Sequence, residues 1–129
     1  MIAVDTSAIL ALLLAEEDAR EFRDAIRDAG RVVVSAGTAV ELAAVASRND
    51  ALFDAALAFL AEPWVTVAPV DTTQVAVAAQ AYRRYGKGHH PAGLNLGDVF
   101  AYALARTRNL PLLFKGDDFS RAGIERVTR

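Results

Sequence analysis

The chain has 129 residues, the size of one compact domain, and 53% of them are hydrophobic, enough to build a core. It contains no cysteine, which excludes disulfides, thiolate metal sites and cysteine nucleophiles. Its net charge of −2, from 14 basic and 16 acidic residues, is not that of a free-standing nucleic-acid binder, although it suits an enzyme whose acids gather around a cation that neutralises them.

The N-terminal run Ile2-Ala3-Val4 has no basic segment ahead of it and does not read as a signal peptide. Nowhere does an apolar stretch approach the roughly 20 residues that span a bilayer, so the expectation is a soluble, cytoplasmic protein with no membrane partner. Ile2-Ala3-Val4 reads as a buried strand ending at Asp5-Thr6-Ser7. Ile9, Leu10, Leu13 and Leu14 then recur at helical spacing. A second helix is expected over Asp18 to Ala29, closed by Gly30. Val32-Val33-Val34 is a second strand, followed by helices from Thr38 to about Ser47 and from about Asp50 to Ala61, the latter stopped by Pro63. Trp64 to Ala68 is a third strand. Asp71 to Tyr85 is a long helix opened by Asp71-x-x-Gln74 in capping-box spacing. Gly86 to Gly97 is a glycine-rich loop, Asp98 to about Arg108 a helix, Leu112 to Phe114 a fourth strand, and Ile124 to Val127 a candidate fifth.

Short apolar strands alternating with helices predict an α/β fold with three layers, a parallel sheet of four or five strands covered on both faces. Such folds bind ligands at the carboxyl ends of the strands, where strand order reverses. Asp5 directly follows the first strand, and Asp117 and Asp118 follow the fourth. Glu41 falls in the first turn of the helix after the second strand, and Asp98 in the first turn of the helix leading to the fourth. Helix N-termini there would help keep both ionised.

Carboxylates crowded in a cleft repel one another unless a cation lies between them. A hard cation such as Mg²⁺ takes oxygen ligands, activates water and stabilises charge on a phosphoryl oxygen, so this set of acids suits phosphodiester hydrolysis. Each acid also has a structural role open to it. Thr38-x-x-Glu41 matches a capping box, Asp5 can cap the next helix, Asp98 can serve a helix dipole, and Asp117-Asp118 can be turn residues after Gly116.

The opening Val4-Asp5-Thr6-Ser7-Ala8 resembles the first motif of the PIN-domain ribonucleases, in particular the VapC toxins of bacterial toxin–antitoxin pairs. The stretch from Gly88 through Asp98 to Ala105 resembles a long motif of one VapC subgroup, and Leu112 to Ser120 that subgroup's last motif. With Glu41 at the expected interval, the likeness spans nearly the whole chain. It implies a Mg²⁺- or Mn²⁺-dependent endoribonuclease with Asp5 and Asp98 as principal metal ligands. Glu41 is then the third acid, contacting the metal or a water on it, and the fourth comes from Asp117, with Asp118 as a neighbour sharing the role. Thr6 and Ser7 would orient Asp5, with Ser7 as its hydrogen-bond partner. Lys115 stands where relatives carry Thr or Ser, so the last motif aligns more loosely. The resemblance further implies a homodimer, an RNA substrate, and inhibition by a cognate antitoxin that places a basic side chain among the carboxylates.

His89 and His90 are adjacent on a Gly/Pro loop and no third histidine exists to complete a transition-metal site. Arg83, Arg84, Lys87 and Lys115 form a possible phosphate-attracting rim, although Arg83-Arg84 also suits a helix C-terminus. Two alternatives compete with the nuclease. A phosphotransfer receiver domain needs an acid ending its third strand, where Val67-Ala68-Pro69 has none. A degenerate PIN-like RNA-binding or interaction module would have lost turnover, yet every acid is present.

Overall fold

Four apolar runs too short for helices pair side by side as strands. In the computed structural model, which describes residues 1–124 and 127, the order is β1 (Ile2–Val4), α1 (Thr6–Leu13), α2 (Ala19–Ala29), β2 (Val32–Ser35), α3 (Ala36–Ala46), α4 (Asp50–Leu60), β3 (Val65–Ala68), α5 (Thr72–Tyr85), α6 (Asp98–Arg108), β4 (Leu112–Leu113) and α7 (Asp118–Arg121). All pairings are parallel and the sheet order is β3-β2-β1-β4. The chain therefore steps one way from β1 to β3 and crosses to the other side for β4. The reversal between β1 and β4 opens a crevice at their carboxyl ends.

Strand composition follows position. Central β1 and β2 are buried throughout and read as unbroken apolar runs, as strands covered on both faces must. Edge strand β3 exposes Thr66 and Val67. Alternate residues face opposite layers. Ala3 and Val33 pack with α5, α6 and Phe114. Ile2, Val4, Val32 and Val34 pack with Ile9, Phe22, Leu42 and Phe59 of α1 to α4. Alanines at 101, 103 and 105 let α6 sit buried on nearly every side. The expected three-layer α/β architecture with a parallel sheet is the one observed.

Several boundaries differ from expectation. Helix α3 starts at Ala36, because Ser35 at the end of β2 is extended and its Oγ accepts the Gly37 N–H at 3.2 Å. Thr38 therefore lies inside the helix with its hydroxyl buried and without a hydrogen-bond partner among the described residues, and the Thr38–Glu41 capping box does not form. Glu41 falls beyond the first turn, correcting its expected place. The box at α5 forms on one side, with Asp71 Oδ1 accepting the Gln74 N–H at 2.8 Å. Strand β4 stops at Leu113, one residue short of the expected end. The candidate fifth strand centres on residues 125 and 126, which lie outside the described residues. Beside them, the Val127 N–H donates to the Leu112 carbonyl at 3.2 Å.

Candidate active site

The site begins with an acid that ends a buried strand. Asp5 is only 2% exposed. One carboxylate oxygen, Oδ2, accepts the Ser7 N–H at 3.0 Å, so Asp5 does cap α1. The other, Oδ1, is buried with no hydrogen-bond partner among the described residues. Burial pushes the Asp5 carboxyl up to about 6; hydrogen bonds from Ser7 oppose this and the charge of Glu41 adds to it. An unpaired buried carboxylate oxygen is costly, so capping explains half of this side chain and leaves the other half open.

Glu41 reaches the same place from α3. Its Oε1 accepts the Thr6 hydroxyl at 2.7 Å, across 35 residues of sequence. Thr6 thus orients Glu41 with its side chain, while its backbone N–H serves Asp5. The second glutamate oxygen lies against Gly97, where an added β-carbon would fall on the carboxylate itself. A side chain at Gly97 would have to push Glu41 aside, so the glycine leaves room for this carboxylate, while its backbone φ of −63° suits any residue.

Asp98 enters from the start of α6. Its Oδ2 accepts the Asn95 N–H at 2.9 Å, and the Asn95 Oδ1 accepts the Asp98 N–H at 2.9 Å. This reciprocal pair has the spacing of a capping box but sits in the turn just ahead of α6, whose own N-cap, Gly97, makes no side-chain bond, and Asn95 is a site residue that the sequence motifs do not single out. Burial pushes the Asp98 carboxyl up to about 7; the Asn95 N–H opposes this, and the charges of Asp5, Glu41 and Asp118 add to it. Desolvation and like charges thus act against ionisation at a position where a helix N-terminus is expected to help it. Three acids from distant segments lie within electrostatic reach of Asp98, all at the carboxyl end of the sheet.

The rim is different in kind. Asp117 and Asp118 are exposed at the start of α7, where Asp117 makes no side-chain capping bond. Ser7 ties this turn to the first turn of α1: its Oγ accepts the Lys115 N–H at 3.0 Å. The Lys115 ammonium points to Glu16 at 2.9 Å and Asp18 at 3.9 Å, which removes it from the phosphate rim suggested by sequence. His89 and His90 diverge. His90 Nδ1 accepts the Ala92 N–H at 2.9 Å and its ring meets Tyr85 edge-on at 5.0 Å, while His89 meets Tyr82 at 6.1 Å. The cavity of about 500 Å³ between Leu12, Ile26, Phe59 and Trp64 lies at the amino end of the sheet, away from the acids.

Among the described residues no group of three acids or histidines forms a ready-made cage for a metal ion. Mg²⁺ does not ordinarily need one, since it binds through one or two carboxylates with waters and substrate phosphate completing its shell. The orphaned Asp5 Oδ1, with Asp98 close enough for their charges to repel, is a donor set of that sort. These residues fit a hard divalent cation.

The PIN domain family model matches residues 2–125. The chain is 44% identical over 124 residues to ribonuclease VapC42 of Mycobacterium tuberculosis, covering 94% of this chain and 95% of that one. The fold is similar to that of M. tuberculosis VapC20, a sarcin–ricin loop cleaving toxin, with a TM-score of 0.81, 21% identity and full coverage of both chains. It is also similar to a chain in a toxin–antitoxin complex from Klebsiella pneumoniae, with a TM-score of 0.69 and 19% identity over 93% of this chain and 91% of that one. The chain belongs to the PIN-domain family and, within it, to the VapC ribonucleases.

Proposed function

We propose that this chain is a metal-dependent endoribonuclease that acts as the toxin of a toxin–antitoxin pair, with Mg²⁺ or Mn²⁺ held by Asp5 and Asp98. The observation that carries the metal is the buried, unpartnered Asp5 Oδ1 beside a second desolvated acid. The identity to VapC42 supports RNA as the substrate. When bound, the cation supplies positive charge to a phosphoryl oxygen and lowers the pKa of a water. Asp5 and Asp98 anchor it from two rigid elements. Glu41, held by Thr6 at 2.7 Å, orients the attacking water and accepts its proton. Asp117 and Asp118 supply the fourth acid from an exposed turn free to meet the substrate strand. Attack in line on phosphorus expels the upstream 3′ oxygen, leaving a 5′-phosphate and a free 3′-hydroxyl.

The likeness to a chain in a toxin–antitoxin complex supports a cognate antitoxin as the partner, and a basic side chain inserted among these acids would form charge-assisted hydrogen bonds. A homodimer is supported by an apolar hollow of about 420 Å³ between Val75, Tyr82, Leu96, Val99 and Phe100, where Val75 is 55% and Leu96 69% exposed. Among the described residues no helix is long and apolar enough to cross a membrane, and action in the cytoplasm follows from an RNA target. The test is expression without an antitoxin: the wild-type chain arrests bacterial growth, and Asp5→Asn and Asp98→Asn, folded by circular dichroism, do not. Equal arrest by both variants would refute the role given to the carboxylates.

A further inference from the structure

The face where α5 packs on α6 carries a second feature that the acid site does not use. A cavity of about 360 Å³ opens there between Val77, Gln80, Arg84, Tyr85, Tyr102 and Arg106. Both arginines lie over tyrosine rings, Arg84 at 5.1 Å from the Tyr85 centroid and Arg106 at 5.7 Å from that of Tyr102. The rings are themselves fixed: Tyr102 is 5% exposed, and its centroid is 6.1 Å from that of Tyr85. Neither arginine has an ion-pair partner among the described residues, and no acid lines the cavity. In a chain of net charge −2, this is a locally cationic hollow.

A guanidinium resting on an aromatic ring is already immobilised, keeps its in-plane donors, and offers its outer face for stacking. Bases of unpaired RNA stack on arginine planes, and their phosphates accept bidentate hydrogen bonds from them. The Gln80 amide on the wall can pair with a base edge. Arg106 follows Asp98 by two helical turns, about 12 Å at 1.5 Å per residue. Residues in the last turns of α5 and α6 also suit the helix dipoles, but a dipole does not require a cavity between two stacked guanidiniums.

We infer that this arginine–tyrosine cavity is a subsite for one unpaired nucleotide of the RNA strand, its base stacked on a guanidinium and its phosphate held by the pair. The subsite rests on the ribonuclease reading and restricts the substrate to RNA that is single-stranded beside the cut. The test uses fluorescence anisotropy of the Asp98→Asn chain with Mg²⁺ and a labelled single-stranded RNA of about 12 nucleotides, within the range such grooves cover. Adding Arg84→Ala and Arg106→Ala should weaken binding about tenfold and reduce the log–log salt slope by about 1.4, the value for two lost phosphate contacts on a single strand. Adding Arg84→Lys and Arg106→Lys instead should keep the slope and still lose the affinity, because an ammonium does not stack as a plane. Both arginines are exposed, so folding survives, and Arg48→Ala on another surface controls for bulk charge. Unchanged affinity in the alanine variant, or full affinity in the lysine variant, overturns the subsite. The ribonuclease reading fails separately, if the wild-type chain does not cleave the same RNA with Mg²⁺ or Mn²⁺ present.

Discussion

The inner acids and the rim acids of one cleft are built in opposite ways. Asp5, Glu41 and Asp98 are each tied by a hydrogen bond of 2.7–3.0 Å to a neighbour that the fold has already fixed: Ser7, Thr6 and Asn95. Asp117 and Asp118 are exposed, on a turn held through the Lys115 N–H and the Ser7 hydroxyl. Desolvation of Asp5 and Asp98 pushes both carboxyls up and costs stability, while the same packing leaves their oxygens preorganised for a cation. The rim set is exposed and can adjust to a substrate. The difference separates groups that define the metal position from groups that only tune it.

The largest effect should come from the inner set. Asp5→Asn and Asp98→Asn keep size and remove a charge. RNA cleavage should fall by more than about 100-fold, beyond the range for residues that merely support a metal ligand, with circular dichroism unchanged. A comparable loss from Asp117→Asn would erase the distinction between the two sets. Next is Gly97→Ala, which drives a methyl into the Glu41 carboxylate. It should displace Glu41 and cut cleavage about 10- to 100-fold while Asp5 and Asp98 still bind Mn²⁺, measured by calorimetry. An active Gly97→Ala enzyme would mean that Glu41 can move without cost.

The raised carboxyls also fix a pH dependence for the metal-free protein. A carboxyl that holds its proton more tightly when folded than when unfolded destabilises the fold as pH rises. The loss begins above the ordinary value of 3.8 and is complete above about 7. Asp98→Asn should therefore raise the metal-free melting temperature by several degrees at pH 8, where about 1 kcal/mol moves it by roughly 4 °C. At pH 4 the gain should vanish. Stabilisation of equal size at both pH values would show that the effect is not electrostatic. The smallest effects belong to the rim, where Asp118, whose charge reaches Asp98, should matter more than Asp117. Asp118→Asn should slow cleavage about two- to fivefold, as expected for an exposed charge. Steady-state kinetics on a short RNA would separate the two.

Much of this was legible from the chain alone because local chemistry and tertiary structure agreed. Val32 to Val34 could only be an interior strand, Gly30 with a φ of 75° ended α2, and Asp71 capped α5. The acids were legible as strand-end positions under one topological rule. Failures arose where two local signals competed. Thr38-x-x-Glu41 imitates a capping box, but Ser35 capped the helix first, and this released Glu41 to meet Thr6 from 35 residues away. Asn95 was hidden in a glycine-rich loop, although Asn-x-x-Asp is itself a capping spacing that could have revealed it. Gly97 looked like loop flexibility when its reason is a carboxylate in contact, which no local pattern encodes. Lys115 looked like a rim cation because its partners Glu16 and Asp18 lie about a hundred residues earlier.

Mapping RNA ends shows whether the inner acids act through a divalent cation. The purified chain is incubated with RNA in EDTA, then with Mg²⁺ or Mn²⁺ restored, and an adaptor that requires a 5′-phosphate is ligated to the fragments. Expected are no cleavage in EDTA, recovery with the metal, and ligatable 5′-phosphate ends that persist in His89→Ala and His90→Ala. Cleavage in EDTA that leaves 2′,3′-cyclic phosphates, the product of attack by the neighbouring ribose hydroxyl with a general base, would contradict the metal mechanism.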